Sequence, residues 1–473
     1  MRGIAFRSSQ GNDYFYDDDT GIIFPGAAGP EDRAPYVGKL ACAPLGERRP
    51  PPTRIDGEAL RRHHLDEGYG FRHMILVVTE QCNLRCKYCV YSEHYPFNRG
   101  YENVTMDQAT AFAALDLFFD NHGKVRHRNP TSKPFVGFYG GEPLLAFDLI
   151  RATVGYFQEH YCAEFPETMF TITTNGMLLT DEAGDFLAEN GFSVIVSLDG
   201  DRESHDRNRV QPNGKGSFDT VFGNIRRFRS RHPGFEKLAV SAVYDYRTDM
   251  NALRGFFDAE KLFVVNISQI DPHNSTYYAQ FTDADRRCFL DRYEAFHKLY
   301  ADAARQDTIE KGSFLFTYIG VSFAQFAFHP VMRERRPEFL PYTATCVPGE
   351  KLCVMPDGTI HTCERINGKF PIGTVRDGLD YDRIAKMIAA YNAAVCQKCR
   401  ECPITRFCTR CFATTAADGE FEVSDEICEQ TRMTVRESLV RYVDITEFRP
   451  DLVDDVTISY HREILDRVGY FVE

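Results

Sequence analysis

The stretch that decides the fold is an apolar run followed at once by three closely spaced thiols. The run is His73-Met-Ile-Leu-Val-Val-Thr79, and the thiols belong to Cys82-Asn-Leu-Arg-Cys86-Lys-Tyr-Cys89. A short continuous apolar run of this kind indicates a buried strand, and the polar residues after it indicate a loop. Three thiolates on one loop can bind three irons of a [4Fe–4S] cluster. The fourth iron then stays open to a substrate or cofactor.

Two other interpretations of these thiols remain open from the residues alone. The thiols could bind zinc, or they could be free thiols in the core. Zinc sites usually show paired CxxC or CxxH half-sites rather than one isolated triplet. The CxxxCxxC spacing therefore favours an iron–sulfur cluster over zinc.

Length and composition bound the kind of protein. The 473 residues allow two to three domains, at about 150 residues each. The 43% hydrophobic and 26% charged residues are ordinary for a soluble globular protein. The net charge of −13 argues against nucleic acid or a membrane as the main partner. No apolar run approaches the roughly 20 residues that span a bilayer, and the start lacks a secretory signal. We therefore expect a cytoplasmic protein.

The cysteines are numerous and unevenly distributed. Fifteen cysteines in a reducing cytosol point to metal or redox chemistry rather than to disulfides. Nine of them lie between Cys346 and Cys428. Only Cys42, Cys162 and Cys288 are scattered, and these are predicted to be ordinary small core residues.

Apolar runs alternate with helix-like segments between residues 72 and 270. Helix starts are predicted at Thr105 as part of a capping box with Gln108, at Thr180 and at Ser217. Strands alternating with helices predict a parallel sheet, and active sites of such barrels lie at the carboxyl ends of the strands. The six predicted strands are residues 73–79, 135–139, 168–173, 193–198, 238–244 and 262–267.

The remaining segments carry weaker signals. Residues 12–24 predict two short strands around a turn, and residues 46–53 an extended proline-rich linker. Residues 280–306 predict a long helix whose aromatic side chains pack in the core. The other predictions are a short helix at 55–64, a connector at 330–345, and a peripheral helix or tail after Cys428.

Motifs at the predicted strand ends make the chain resemble the radical S-adenosylmethionine (SAM) enzymes. Tyr88 stands before the third cysteine of CxxxCxxC, and residues 138–143 read Phe-Tyr-Gly-Gly-Glu-Pro. The resemblance implies an α/β fold, a (β/α)6 partial TIM barrel over residues 71–330. It also implies that Cys82, Cys86 and Cys89 hold a [4Fe–4S] cluster whose open iron binds SAM. An electron from that cluster would release a 5′-deoxyadenosyl radical.

The same resemblance assigns residues at successive strand ends to SAM. Gly140 and Gly141 would let the backbone approach the ligand, and Glu142 would hold its amino group. The other candidate cofactor-binding residues are Tyr88, Asn175, Ser197, Asp199 and Arg209. Asn-Gly and Asp-Gly pairs form turns in any case, so plain turn chemistry remains the alternative for Asn175 and Asp199. A solvated loop charge is the alternative for Arg209.

The cysteine-rich region resembles the SPASM domain, predicted here over residues 341–435, with a hairpin strand at 358–363. The resemblance implies two auxiliary [4Fe–4S] clusters with interleaved ligands. The first ligand set is Cys346, Cys353, Cys363 and Cys411, and the second is Cys399, Cys402, Cys408 and Cys428. Cys396 is surplus, and two residues instead of the usual three separate Cys408 from Cys411. The register of ligands therefore stays open, and a zinc ribbon is the rival interpretation.

SPASM proteins that resemble this chain, over about residues 72–430, mostly modify peptides or proteins. We therefore expect a maturase that forms a crosslink, such as a Cys thioether, in a ribosomally synthesised precursor peptide. A small electron donor such as flavodoxin or ferredoxin would supply electrons. Glu364 is the candidate catalytic base, with a plain surface glutamate as the alternative.

Other functions and the flanking regions complete the set of expectations. The alternatives are a sulfatase- or quinoprotein-type maturase, a small-molecule dehydrogenase, and a non-catalytic iron–sulfur or zinc protein. Residues 1–70 form an N-terminal extension, either for leader-peptide recognition or as a strand pair that covers the barrel edge. Residues 436–473 are predicted to be a C-terminal tail.

Overall fold

A sheet of parallel strands runs through the centre of the computed structural model, as the sequence predicts. The structure describes residues 2–26, 51–52, 54–128, 133–320, 322–323, 326, 338–342 and 345–452. Each central strand pairs in parallel with the next one along the chain, which confirms the α/β partial-barrel fold. The central strands are β4 (His73–Thr79), β5 (Phe135–Gly140), β6 (Met169–Thr174), β7 (Ser193–Ser197), β8 (Leu238–Tyr244) and β9 (Val264–Gln269).

β4 is buried on both faces, which is why its apolar run is continuous rather than alternating. Met74, Leu76 and Val78 point into the main core, where the helices pack against the sheet. Ile75 and Val77 belong to a second, smaller apolar cluster. The two-residue period of a strand thus divides one apolar run between two cores.

Helices follow the strands of the barrel. Thr180 caps α4 by accepting a hydrogen bond from the backbone N–H of Ala183, as predicted. Phe289, Phe296 and Tyr300 on α8 are buried, which confirms the predicted core packing. The helices up to this point are α1 (Gly57–Leu65), α2 (Gln108–Val125), α3 (Phe147–His160), α4 (Asp181–Glu189), α5 (Arg202–Asn208), α6 (Phe218–Arg231), α7 (Met250–Glu260) and α8 (Asp283–Arg305).

Two predicted helix caps are wrong, because their hydroxyls have other partners. Asp107, not Thr105, caps α2. The Thr105 hydroxyl lies 3.0 Å from that of Thr79 at the end of β4. Ser217 precedes α6 but makes no capping bond, since its hydroxyl donates to the Arg209 carbonyl at 2.7 Å. Both hydroxyls hold a loop in position through a hydrogen bond, and neither caps a helix.

The cysteine-rich region continues the barrel sheet. Its first strand, β10 (Lys351–Val354), pairs in parallel with β4, with Cys353 opposite Ile75. The predicted hairpin is confirmed, because β10 pairs in antiparallel fashion with the next strand. The remaining elements are β11 (Thr359–His361), β12 (Gly373–Thr374), β13 (Gly378–Leu379), α9 (Tyr381–Ala394), α10 (Phe412–Thr415) and α11 (Asp425–Thr446). The sheet order β13-β12-β11-β10-β4-β5-β6-β7-β8-β9 runs unbroken across both regions.

The N-terminal region forms a separate three-stranded antiparallel sheet. The sequence predicts two of its strands, β2 (Asp13–Asp17) and β3 (Ile22–Pro25), and misses β1 (Gly3–Arg7). This sheet packs on the cysteine-rich region, where the ring centroids of Tyr16 and Phe407 lie 4.8 Å apart. It is therefore anchored beside the second cysteine set rather than placed as a simple cover for the barrel edge.

A buried polar contact holds the N-terminal sheet in place. Asp18 and Arg406 are both fully buried. The Asp18 carboxylate accepts hydrogen bonds from the Thr405 hydroxyl at 2.6 Å and the Arg406 backbone N–H at 3.0 Å. The Arg406 guanidinium donates in return to the Asp18 carbonyl at 2.8 Å and the Asp19 carbonyl at 2.9 Å. These hydrogen bonds join residues 18–19 of the N-terminal region to residues 405–406 of the cysteine-rich region.

Several predictions fall outside the described residues. These concern Cys42, most of the predicted linker, most of the connector, and residues 453–473 of the tail. Among the helices that the structure describes, none is long and apolar enough to cross a bilayer.

Replacing Asp18 by alanine tests the buried contact. The change leaves the donors of Thr405 and Arg406 without their acceptor, so we expect Asp18→Ala to lower the free energy of unfolding by about 2–4 kcal/mol. The measurement is the unfolding midpoint. Asp13→Ala is the control, because Asp13 pairs with the exposed Arg7 at 2.7 Å. Equal midpoints for both variants would contradict the role given to Asp18.

Candidate active site

The Cys82–Cys89 loop leaves β4 at its carboxyl end and is held by neighbouring strand-end loops. The backbone N–H groups of Arg85 and Lys87 donate to the carbonyls of Val210 at 2.7 Å and Asn208 at 3.0 Å. These bonds tie the thiol-bearing loop to the segment after α5. The loop is thereby fixed by the barrel before any cofactor binds.

The three thiols of this loop lie in a desolvated environment. Burial raises the pKa of Cys82 to about 11 and that of Cys86 to about 12. Burial also raises the pKa of Cys89. Desolvation disfavours a free thiolate, so binding of a metal centre must displace the thiol protons.

Gly140 and Gly141 have a structural role in this chain, and their predicted contact with SAM stays a prediction. A Cβ at Gly140 would lie 2.2 Å from the Thr79 carbonyl oxygen, and one at Gly141 would lie 2.2 Å from that of Gln81. Gly140 also has a φ of 153°. The glycines are needed because β5 closes against the start of the thiol loop, so the close approach is between two stretches of this chain.

Glu142 is fully buried and its carboxylate is directed at local donors. It accepts hydrogen bonds from the Thr174 hydroxyl and the Asn175 backbone N–H, both at 2.7 Å, and from the Leu144 N–H at 3.1 Å. Burial raises the pKa of Glu142. Glu142 thus joins the ends of β5 and β6, and its contact with the SAM amino group stays a prediction.

The polar residues at the next strand ends meet the thiol loop. Asn175 donates from its side chain to the Asn83 side-chain oxygen at 2.7 Å, and lies 3.7 Å from the Cys82 sulfur. Ser197 lies at the carboxyl end of β7 and is half-buried. Asn175 is therefore fixed beside the thiol loop through its side chain, which turn formation alone does not require.

Three further candidates form one hydrogen-bonded chain. The Tyr88 hydroxyl donates to the Asp199 carboxylate at 2.6 Å and accepts from the Arg209 guanidinium at 2.6 Å. Asp199 and Arg209 are buried. Burial raises the pKa of Asp199, and the charge of Arg209 opposes that rise. The sequence named all three residues but did not predict that they contact one another.

Arg209 retains an unused donor in this buried position. Its Nε has no hydrogen-bond partner among the described residues. An orphaned guanidinium N–H next to Cys86 suits a ligand carboxylate, since a buried donor without an acceptor is costly. The residues around the thiol loop therefore fit an amino acid cofactor such as SAM.

The cysteines of the extension fall into two neighbourhoods. Burial and the charges of Glu364 and Cys411 raise the pKa of Cys363 to about 12. In the second neighbourhood, burial and nearby thiols raise the pKa of Cys399. Those nearby thiols are Cys396, Cys408, Cys402 and Cys428. Cys396, which is surplus in the predicted ligand sets, lies in the second neighbourhood as well.

No three His, Cys, Asp or Glu side chains in the described ranges are arranged around a single metal ion. The ligand assignments of Cys346, Cys353, Cys402 and the other cysteines therefore stay predictions.

Glu364 has a partner that the sequence analysis missed. Its carboxylate lies 2.9 Å from the ammonium of Lys351. Burial raises the pKa of Glu364, but Lys351, a backbone hydrogen bond and His73 together outweigh that effect, and the net shift is downward. The hairpin register could have predicted this contact. Cys353 lies opposite His361 in the hairpin, so residue 351 lies opposite residue 363, the neighbour of Glu364. Lys351 itself pairs with His73, at the amino end of β4.

Comparison with known proteins agrees with this geometry. Residues 76–237 match the profile of the radical SAM superfamily. A cysteine-type anaerobic sulfatase-maturating enzyme of Clostridium novyi is 29% identical over 155 residues, 32% of this chain and 39% of that protein. A serine-type anaerobic sulfatase-maturating enzyme of Bacteroides thetaiotaomicron is 32% identical over 179 residues, 37% of this chain and 40% of that protein. The chain thus spans less than half the length of the first curated relatives that it matches.

A solved structure shares the fold over a longer range. It is named native anSMEcpe with bound AdoMet and Kp18Cys peptide, and the match covers 82% of this chain and 99% of that one. The TM-score is 0.55 at 17% sequence identity, so the likeness concerns the fold. The matched profile includes the thiol loop and every candidate SAM residue from Tyr88 to Arg209. Residues 76–237 of this chain are therefore similar to the radical SAM domain, and the residues around the thiol loop fit the [4Fe–4S] cluster and SAM of that superfamily.

Proposed function

We propose that this chain is a radical SAM maturase that abstracts a hydrogen atom from a residue of a peptide or protein. The observation that carries the proposal is the pairing of β10 with β4. It joins the strand that leads into the Cys82–Cys89 loop to the strand that carries Cys353. The cluster and SAM, when bound, supply the 5′-deoxyadenosyl radical, and the chain supplies position and exclusion of water.

The chain's own residues have distinct tasks in this proposal. Cys82, Cys86 and Cys89 would hold the cluster on a loop that the barrel has already fixed. Arg209 would bind the SAM carboxylate through its free Nε. Tyr88 and Asp199 would orient that guanidinium, since Tyr88 bonds to both.

Two substrate classes compete. The first is a ribosomally synthesised precursor peptide that receives a crosslink such as a Cys thioether. The second is a sulfatase-type protein substrate, which the similarity to two sulfatase-maturating enzymes favours. The bound Kp18Cys peptide of the similar structure supports a peptide chain as substrate in either case.

Co-expression separates the two classes. The protein is expressed with a small Cys-rich peptide encoded beside its gene, or with a sulfatase fragment, and the products are analysed by mass spectrometry. A crosslink removes two hydrogens and forms no aldehyde. A formylglycine, in contrast, carries an aldehyde that reacts with a hydrazide probe. We expect modification of one of the two substrates.

The matched variants for this experiment are Cys86→Ala and Cys288→Ala. Cys86 is buried in the thiol loop, whereas Cys288 is exposed on α8, so the prediction that Cys288 is a core residue is wrong. We expect only Cys86→Ala to abolish both product and 5′-deoxyadenosine. Reductant-dependent 5′-deoxyadenosine from wild-type and Cys86→Ala protein alike would refute the proposed function.

Removing the Tyr88 hydroxyl tests the SAM pocket. Tyr88→Phe breaks the bridge that orients Arg209, so we expect the dissociation constant for SAM to rise about tenfold, the factor for one such bond. Equilibrium dialysis of the anaerobically reconstituted protein measures it. Tyr91→Phe is the control, because the buried Tyr91 hydroxyl has no partner among the described residues. Equal affinities for the two variants would remove Tyr88 from the pocket.

Glu364 is tested by separating SAM cleavage from product formation. If Glu364 acts as the base, Glu364→Gln leaves 5′-deoxyadenosine formation intact but slows product formation about a hundredfold. The matched control is Glu350→Gln. Glu350 has a side chain of similar exposure, 20% against 17%, and pairs with His63 instead. Unchanged turnover in Glu364→Gln would assign the Glu364–Lys351 pair a purely structural role.

A further inference from the structure

A cleft lies between the radical SAM domain and the cysteine-rich extension. Its lining comes from the segment after Cys89, including Tyr95 and Phe97, and from residues 271–274 at the end of β9. The opposite side comes from Arg365 and from residues 413–416, just after Cys411. The cleft is therefore bordered by the continuation of the thiol loop and by two segments that follow cysteines of the extension.

A linked set of charged and polar groups lies in and beside this cleft. Arg365 donates to one oxygen of Asp271 at 2.8 Å. The other Asp271 oxygen lies 2.5 Å from Nδ1 of His273, and Nε2 of His273 contacts the guanidinium of Arg410. Asp271 thus lies between Arg365 and His273, and Arg410 contacts the far side of the His273 ring.

The set carries an excess of positive charge. Burial raises the pKa of Asp271, but His273 and Arg365 lower it further and the net shift is downward. Asp271 is therefore ionised, and one carboxylate faces two guanidinium groups. Arg410 keeps a buried Nε that has no hydrogen-bond partner within the described part of the chain. Arg365 is about half exposed, with a side-chain exposure of 48%, so a ligand can reach it.

The shape of the cleft suits part of a peptide. Ala413, Thr414 and Ala416 leave room on one side. Phe97 is an exposed aromatic side chain that can cover apolar parts of a ligand. A positively charged cleft that is lined on one side by small residues suits an acidic side chain.

We propose that this cleft is a substrate subsite that binds a carboxylate of the peptide, with Arg365 and Arg410 as its specificity-determining residues. The inference rests on the proposed function and names the chemistry of its substrate. The carboxylate belongs to an Asp or Glu side chain or to the peptide's C-terminus. A residue anchored here places its sequence neighbours between the thiol loop and the cysteine-rich extension.

Fluorescein-labelled degenerate peptide pools test the subsite by binding alone. One pool has the form Gly-X-X-Glu-X-X, where X is any residue except Asp and Glu, with an amidated C-terminus. The second pool has Gln in place of Glu, and the third is the Gln pool with a free C-terminus. Fluorescence polarisation under anaerobic conditions measures affinity for the reconstituted protein. We expect a carboxylate-bearing pool to bind about tenfold more tightly than the amidated Gln pool, the factor for one charge-assisted bond.

Variants of Arg365 assign that preference to the cleft. Arg365→Met removes the preference, while Arg365→Lys retains most of it, and unchanged unfolding midpoints show that both variants fold. Arg226→Met is the matched control and keeps the full preference. Arg226 has a side-chain exposure of 61% and lies 2.7 Å from Glu260, much as Arg365 pairs with Asp271.

The outcomes distinguish the subsite from the proposed function. Tighter binding of the Glu pool identifies an acidic side chain as the ligand, and tighter binding of the third pool identifies the C-terminus. Equal or absent binding of all three pools overturns the subsite, as does a preference that survives Arg365→Met. The co-expression experiment tests the proposed function independently, because it needs no carboxylate preference.

Discussion

The arrangement of both cysteine regions depends on the parallel pairing of β10 with β4. Parallel strands need long connections, and here the partners are separated by the whole barrel sequence. β4 has strand partners on both sides, β5 and β10, so its backbone hydrogen-bonding groups are used within the sheet. Loss of the pairing between β10 and β4 would separate the thiol loop both from Cys353 and from the Glu364–Lys351 pair. One continuous sheet therefore links the two regions that carry the cysteines.

Desolvation is the second constraint, and it explains why the candidate SAM residues are connected to one another. Asp199 and Arg209 are buried at the mouth of the barrel, where an isolated charge would be costly. The Tyr88 hydroxyl links the two charges, and Glu142 takes three local donors for the same reason. Such a network fixes the pocket's shape in advance. The ligand then needs to satisfy only the donors that the network leaves over.

The sequence predicts the barrel well because burial on both faces leaves a strong local signal. The limits of β4 and β8 coincide with the predicted strands, and the other four strands differ only at their ends. The roles of Gly140 and Gly141, and the partners of Thr105 and Ser217, could not be predicted in this way. They depend on which strand ends meet in space, and motif spacing carries no information about that. The link between Asp18 and Arg406 spans almost the whole chain and has no local signature.

That long-range link also bears on the N-terminal extension. A leader-binding module that acts independently would need few contacts with the catalytic core, whereas this sheet buries Asp18 against the segment between Cys402 and Cys408. The side chains of Asn12 and Tyr14 also donate hydrogen bonds to Glu447, the residue that follows α11. A peptide that binds the N-terminal sheet would therefore contact an element that packs against the second set of cysteines. The Arg406 guanidinium donates to the carbonyls of Asp18 and Asp19, so a displacement of the N-terminal sheet would break both hydrogen bonds.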